Sequence, residues 1–175
     1  CFGMGLCVIA NAGTSFLVTF FKNLGITLTQ GDVAKPNSIF ECILDIIGIA
    51  IVPAICEEFA MRCCALGLLK NYGKAFGVVS VSVVFGLLHG NVIQFIFAFL
   101  VGLVLAYITI KTESIIPAMC IHALNNGMSA VSDTVNYAAG KEVNITVGFF
   151  AFWLLVGIIA TIYLAIKRKL TIPKD

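Results

Sequence analysis

A small set of ionisable and amide side chains lies inside long apolar stretches of this 175-residue sequence. A charge at the centre of a membrane helix costs roughly 2.5–3.5 kcal/mol on insertion scales, so polar residues at such depth are candidates for function. A carboxylate, two imidazoles and an amide can together activate water and stabilise an oxyanion, which is the chemistry of hydrolysis. The set consists of Glu57, Glu58, Arg62, His89, His122, Asn125 and Asn126.

The first three of these residues share one segment. Glu58 and Arg62 are four residues apart with the acid first, which favours an ion pair on a helix. We expect this pair to neutralise both charges, because buried charges are usually paired. Glu57 projects about 100° away around the helix, so we predict that it is the carboxylate left without a partner.

The fifth segment repeats the same spacing. His122 and Asn126 are four residues apart and are predicted to project from one helix face. Asn125 points elsewhere, and we expect it to form a hydrogen bond to another helix.

Depth brings residues of three segments together. Lys70, Lys74 and Lys111 flank the three segments on the side predicted to be cytoplasmic. At a rise of about 1.5 Å per residue, four polar residues lie about 16–23 Å along the helices from these lysines. The sequence therefore predicts one polar layer, formed by Glu57, His89, His122 and Asn126.

Composition identifies the class of protein that must hold this layer. Apolar residues make up 60% of the chain and charged residues 11%, with a mean hydropathy of +1.05. Soluble domains have about 45–50% apolar residues and about 25% charged residues. The chain is therefore predicted to be a multi-pass integral membrane protein in contact with a lipid bilayer. A net charge of +2 without a basic stripe excludes a nucleic-acid partner.

Six apolar segments predict an all-α, polytopic helical membrane bundle that forms a single transmembrane domain over residues 1–175. The second segment is too long for a straight span, and Pro53 predicts a kink within it. Lys and Arg in the loops predict a cytoplasmic C-terminus at Lys167 to Leu170. The six segments cover approximately 2–21, 39–69, 75–90, 91–110, 114–132 and 145–166.

Other catalytic groups have less support in the sequence. Glu57, His89 and His122 could instead ligate zinc, with water as the fourth ligand, although no H-E-x-x-H motif is present. No serine lies in a G-x-S-x-G motif, and Cys120 faces away from His122 on a helix. The seven cysteines form no C-x-x-C pair and are predicted to be free thiols in the membrane.

Three short motifs follow one another on separate apolar segments. They are EEFAMR at 57–62, FGLLH at 85–89 and HALNN at 122–126, within a core of about 40–130. This ordered set resembles the CPBP family of intramembrane proteases, also called the CAAX protease and self-immunity (Abi) family, which includes the type II CAAX prenyl endopeptidases.

The resemblance implies a glutamate-dependent membrane endopeptidase without a cofactor. It implies that Glu57 and His89 activate the attacking water, and that His122 and Asn126 hold the oxyanion. Glu58 and Arg62 are then supporting residues. Members of the family often have about eight transmembrane helices. We therefore expect that this chain, which begins with Cys1, lacks N-terminal helices of the family fold.

The resemblance also implies a hydrophobic or lipid-modified peptide or protein as substrate. In a bacterial cell membrane, the role would be peptide maturation or bacteriocin self-immunity. Two alternatives remain open from the residues alone. One is a non-catalytic membrane scaffold or immunity factor, and the other is a proton or ion path, because buried acids and histidines also form relays.

Overall fold

A computed structural model describes residues 1–28 and 35–167 of the chain. The described part forms six helical segments and no strand, which confirms the predicted all-α membrane bundle. We label them α1 to α6 in chain order. They are α1 (Phe2–Asn23), α2 (Ile39–Tyr72), α3 (Lys74–Leu87), α4 (Val92–Thr112), α5 (Ile116–Ala139) and α6 (Thr146–Ile166).

Four of these helices are long and apolar enough to cross a membrane, namely α1, α2, α4 and α6. Helix α3 is apolar but has only 14 residues, or about 21 Å at 1.5 Å per residue. Helix α5 is longer than predicted and carries several polar residues in its second half. The predicted C-terminal basic cluster lies mostly outside the described residues, so the orientation of the chain stays a prediction.

Helix α2 changes its hydrogen-bonding register twice. Two π-helical segments, Ile46–Ile51 and Phe59–Ala65, lie on either side of the α-helical stretch Val52–Glu58. Pro53 lies in the first turn of that stretch and has no N–H to donate. The helix thus continues past the proline with changes of register, and the kink at Pro53 stays a prediction. The two π segments bracket the turn that carries Glu57 and Glu58.

One cluster of buried apolar residues lies between α1, α4 and α5, and a second, with Leu66, Val81 and Ala106, lies between α2, α3 and α4. The buried residues of the first cluster include Met4 and Cys7 of α1, Leu105 of α4 and Ile121 of α5. Helix α6 packs against the other face of α1, where the backbones meet closely. A Cβ atom added at Gly5 would lie 2.7 Å from the Cα atom of Gly157. Small residues that allow such an approach are typical of helix pairs in membranes.

Candidate active site

The Glu58–Arg62 pair predicted from the sequence is present and completely buried. Arg62 Nη1 lies 3.1 Å from Glu58 Oε1, and neither side chain is exposed. Arg62 Nη2 also donates to the carbonyl oxygen of Gly102 on α4, at 3.3 Å. Two charges out of water are stable only when they are paired and further hydrogen bonded, so this contact also ties α2 to α4.

Glu58 has a second partner that the sequence did not predict. Nδ1 of His122 lies 2.9 Å from the same oxygen, Oε1, and His122 is also buried. The carboxylate of Glu58 therefore lies between a guanidinium on its own helix and an imidazole on α5. The i,i+4 spacing pointed to Arg62 alone, because spacing within one helix says nothing about the neighbouring helix.

The other nitrogen of His122 faces Asn126, one turn further along α5. Nδ2 of Asn126 lies 3.0 Å from Nε2 of His122 and also donates to the carbonyl oxygen of Ile49 at 3.3 Å. Oδ1 of Asn126 accepts from Asn125 at 3.3 Å. These contacts assign the amide nitrogen to the His122 side, so His122 accepts at Nε2 and donates from Nδ1 to Glu58.

Pro53 withholds one possible backbone donor from the Ile49 carbonyl. In an α-helix this carbonyl would accept from the N–H of residue 53, and proline has none. The acceptor is used by the Asn126 amide from α5. The proline in α2 and the asparagine in α5 are therefore linked through one backbone oxygen.

The hydrogen-bonded chain continues to α1. Nδ2 of Asn11 donates to Oδ1 of Asn125 at 3.4 Å and to the carbonyl oxygen of Cys7 at 3.0 Å. Asn125 thus forms the interhelical bond expected of it. The donors all point from α1 toward Glu58, and such aligned bonds polarise one another. Sequence reasoning missed Asn11, although an amide inside an apolar segment is a signal for it.

Glu57 differs from Glu58 in exposure and in partners. Its side chain is 39% exposed, and Oε2 lies 3.8 Å from Nε2 of His122. Oε2 forms no hydrogen bond with any described residue. Glu57 lines a cavity of about 260 Å³ together with His89. The rest of that cavity is formed by Cys56, Ala60, Met61, Phe85 and Leu88.

His89 lies in the short turn between α3 and α4. Its Nδ1 lies 2.8 Å from the carbonyl oxygen of Phe85, so Nδ1 carries the proton and Nε2 is left as an acceptor. The turn is defined by Gly90, whose φ of 64° favours glycine, and by Asn91, which caps α4. The side chain of Asn91 accepts from the backbone N–H of Ile93 at 2.8 Å.

Phe85, the first residue of the second motif, lies between the two histidines. Its ring meets His89 edge-on with centroids 5.0 Å apart, and His122 edge-on at 5.8 Å. The guanidinium carbon of Arg62 lies 4.6 Å from the ring centroid. Phe85 is 2% exposed, so it is a packed spacer that fixes three of the polar side chains.

The zinc set considered from the sequence is not assembled as a cluster. Across residues 1–28 and 35–167, no group of three or more His, Cys, Asp or Glu side chains is arranged to hold a metal ion. Both nitrogens of His122 face protein partners, Glu58 and Asn126. We therefore derive no chemical step through a metal.

Comparison with known protein families identifies the central part of the chain. Residues 39–128 match the family described as type II CAAX prenyl endopeptidase, Rce1-like. The match covers just over half of the chain and includes all three motifs. Helices α1 and α6 lie outside it. Comparisons with curated proteins and with solved structures find no match.

Proposed function

The chain belongs to the Rce1-like family of type II CAAX prenyl endopeptidases, which are membrane proteases, and we propose that it hydrolyses a peptide bond with water activated by Glu57 and His89. The substrate we propose is a hydrophobic or lipid-modified peptide or protein that reaches the site from the bilayer. The proposed setting is a bacterial cell membrane with the C-terminus in the cytoplasm.

One observation carries this proposal. Glu57 and His89 line the same cavity, and each keeps an acceptor that no described residue occupies. These acceptors are the carboxylate of Glu57, whose side chain is 39% exposed, and Nε2 of His89. A water molecule between two such acceptors is both oriented and made more nucleophilic, which is general base catalysis.

In the proposed reaction, an O–H bond of water breaks and its proton passes to Glu57 or His89. The water oxygen forms a bond to the substrate carbonyl carbon, and the carbonyl oxygen becomes an oxyanion. The C–N bond then breaks as the leaving nitrogen takes a proton from the protonated base. The products are a carboxylic acid and an amine, so atoms and charge balance.

We propose Asn126 as the first donor to the oxyanion, which would take the place of His122 Nε2 as the acceptor of one of the two amide N–H groups. The proton that Glu57 takes from water can pass to Nε2 of His122, 3.8 Å away, so that His122 also donates to the oxyanion. The same proton then returns through Glu57 to the leaving nitrogen. The resulting imidazolium would be stabilised at Nδ1 by Glu58, as the buried carboxylate does in a catalytic triad. Oxyanion donors are worth about 10²–10³ in rate.

The biological role follows from the substrate, which we propose to be either a peptide that is matured by cleavage or a bacteriocin that is inactivated in self-immunity. The two alternatives from the sequence predict different outcomes for Glu57. A scaffold or immunity factor should keep partner binding in the Glu57→Gln protein. An ion path should show transport in liposomes that depends on Glu57.

The test uses the full chain, purified in detergent micelles, and a farnesylated peptide beside its unmodified apolar counterpart. We expect cleavage of at least one peptide by the natural protein and loss of cleavage in Glu57→Gln and His89→Ala. Glu113→Gln is the matched control, because it removes a carboxylate at the other end of α4. Equal cleavage by all four proteins would overturn the proposal. A parallel reaction with a chelator tests metal dependence.

A further inference from the structure

A second cavity, of about 510 Å³, borders the site at Asn126. It lies where the middle of α1, the start of α4, the second half of α5 and the start of α6 meet. It shares no lining residue with the cavity of Glu57 and His89. Its volume is in the range of about 300–1,000 Å³ that ligand sites have.

The two cavities differ sharply in polarity. Ten of the fourteen residues that line the second cavity are polar, among them Asn11, Asn125, Asn126 and Ser129. The first cavity is apolar apart from Glu57, His89 and a cysteine. Ten polar side chains at one site in a membrane protein are costly unless they meet water or a polar ligand.

The charge that lines the second cavity is negative, from Asp133. Asp133 is the one ionisable residue among its described lining residues, and it forms no ion pair with any described residue. Lys35 and Lys141 border Asp133 on another side, in a separate cavity, where Lys35 pairs with Glu142 at 3.3 Å. A carboxylate in a partly enclosed polar site attracts cations and repels anions.

The reacting layer lies between the two cavities. Glu57 belongs to the first cavity and Asn126 to the second, and His122 contacts both, at 3.8 Å and 3.0 Å. A peptide bond held between the base and the oxyanion donor would therefore send one flank into an apolar cavity and the other into a polar one. This geometry fits an amphiphilic substrate, with one apolar flank and one polar flank.

We propose that the second cavity is the subsite for the polar flank of an amphiphilic peptide, and that Asp133 makes it prefer neutral or basic residues over acidic ones. This inference rests on the proposed function, since it names the substrate class of the same site.

The test uses quenched fluorescent peptides that share an apolar tract and differ only in a short flank of Ser and Asn, of Lys, or of Asp. Each is made with the flank on either end, and kcat/KM is measured with the full chain in micelles. We expect the Lys peptide to be cleaved about tenfold faster than the Asp peptide, which corresponds to about 1.4 kcal/mol. Asp133→Asn should bring this ratio close to one, and Asp133→Lys should invert it.

Glu113→Gln is the matched control and should keep the natural ratio, because Glu113 follows the far end of α4 from the cavity. If the Asp133→Asn protein cleaves the peptides with the same Lys-to-Asp ratio of kcat/KM as the natural protein, this inference is wrong and the proposed function is unaffected. Peptides cleaved equally by the natural and Glu57→Gln proteins would overturn the proposed function.

A binding measurement tests the inference separately from cleavage. Fluorescence anisotropy of the same peptides with the Glu57→Gln protein should show tighter binding of the Lys peptide than of the Asp peptide. The difference should disappear when Asp133→Asn is added. Equal affinities for the two peptides, or binding of neither, would overturn the assignment of this cavity as a charge-selective subsite.

Discussion

Nδ1 of His122 lies 2.9 Å from Oε1 of Glu58, which is also the oxygen that faces Arg62 at 3.1 Å. Glu58 thus pairs with Arg62 and also accepts a hydrogen bond from His122. Because its carboxylate accepts a hydrogen bond from Nδ1–H of His122, the lone pair of His122 lies on Nε2, which faces Asn126 and Glu57. The buried pair with Arg62 therefore sets the tautomer of a histidine in the reacting layer.

The first prediction concerns Glu58→Gln, which keeps the shape of the side chain and removes its charge. We expect cleavage to fall at least about 10²-fold, since a carboxylate that orients a histidine is worth up to about 10⁴ in a catalytic triad. Stability should fall by about 3–5 kcal/mol, because Arg62 is left buried without its counter-charge. Peptide cleavage and thermal unfolding in micelles measure the two effects.

The control separates the two effects of that change. In Glu58→Gln combined with Arg62→Met, no buried charge remains, so most of the lost stability should return. Cleavage should stay low, because His122 still lacks its carboxylate. Recovery of cleavage in the double variant would show that Glu58 acts only through stability.

The second prediction concerns the link between Pro53 and Asn126. Pro53→Ala supplies an N–H that can donate to the Ile49 carbonyl and compete with the Asn126 amide. Asn126→Ala should lower kcat/KM about 10²–10³-fold, and Pro53→Ala should lower it about fivefold, since one hydrogen bond contributes about 1 kcal/mol.

A double-mutant cycle checks this link. Pro53→Ala should have no further effect in the Asn126→Ala background, because the amide that would compete for the Ile49 carbonyl is already absent. Pro117→Ala is the matched control, since Pro117 also lies in the first turn of a helical stretch but is far from the Ile49 carbonyl in sequence and lies about 14 Å before Asn126 along α5, at 1.5 Å per residue. Additive effects of the two changes would contradict the link.

The third prediction concerns Asn11, on a helix outside the matched family region. Asn11→Ala removes the donor to Asn125 and should lower kcat/KM by about three- to tenfold, because a net hydrogen bond contributes about 0.5–1.5 kcal/mol. Asn23→Ala, at the exposed end of the same helix, should have no effect. If Asn11→Ala and Asn23→Ala have equal activity, the hydrogen bond from Asn11 on α1 does not contribute to the reaction.

The sequence predicted what depends on spacing within one helix and on depth along it. The helical bundle, the Glu58–Arg62 contact and the contact of His122 with Asn126 are of this kind. The catalytic roles assigned to Glu57, His89, His122 and Asn126 stay predictions.

Contacts between helices were less predictable. The two π segments of α2 each add a residue to a turn, so the faces of this helix do not follow a regular period of 3.6 residues. Which of Glu57 and Glu58 would face His122 more closely therefore could not be read from a helical period. Asn11 was missed because its partner Asn125 lies on another helix. Phe85 was recognised as part of the second motif, but its contact with His122 on α5 follows from no spacing rule within one helix.

The last prediction concerns Phe85, whose ring separates His89 from His122. Phe85→Leu keeps an apolar side chain at this buried position and should cost about 1–3 kcal/mol of stability, the sum of the two ring contacts that it removes. It removes two edge-to-face contacts worth about 0.5–1.5 kcal/mol each, so both imidazoles gain freedom and kcat/KM should fall roughly tenfold. Phe95→Leu is the control, because Phe95 stacks on Phe99 and contacts neither histidine. If the two leucine variants cleave peptide at the same rate, Phe85 fills space without positioning the histidines.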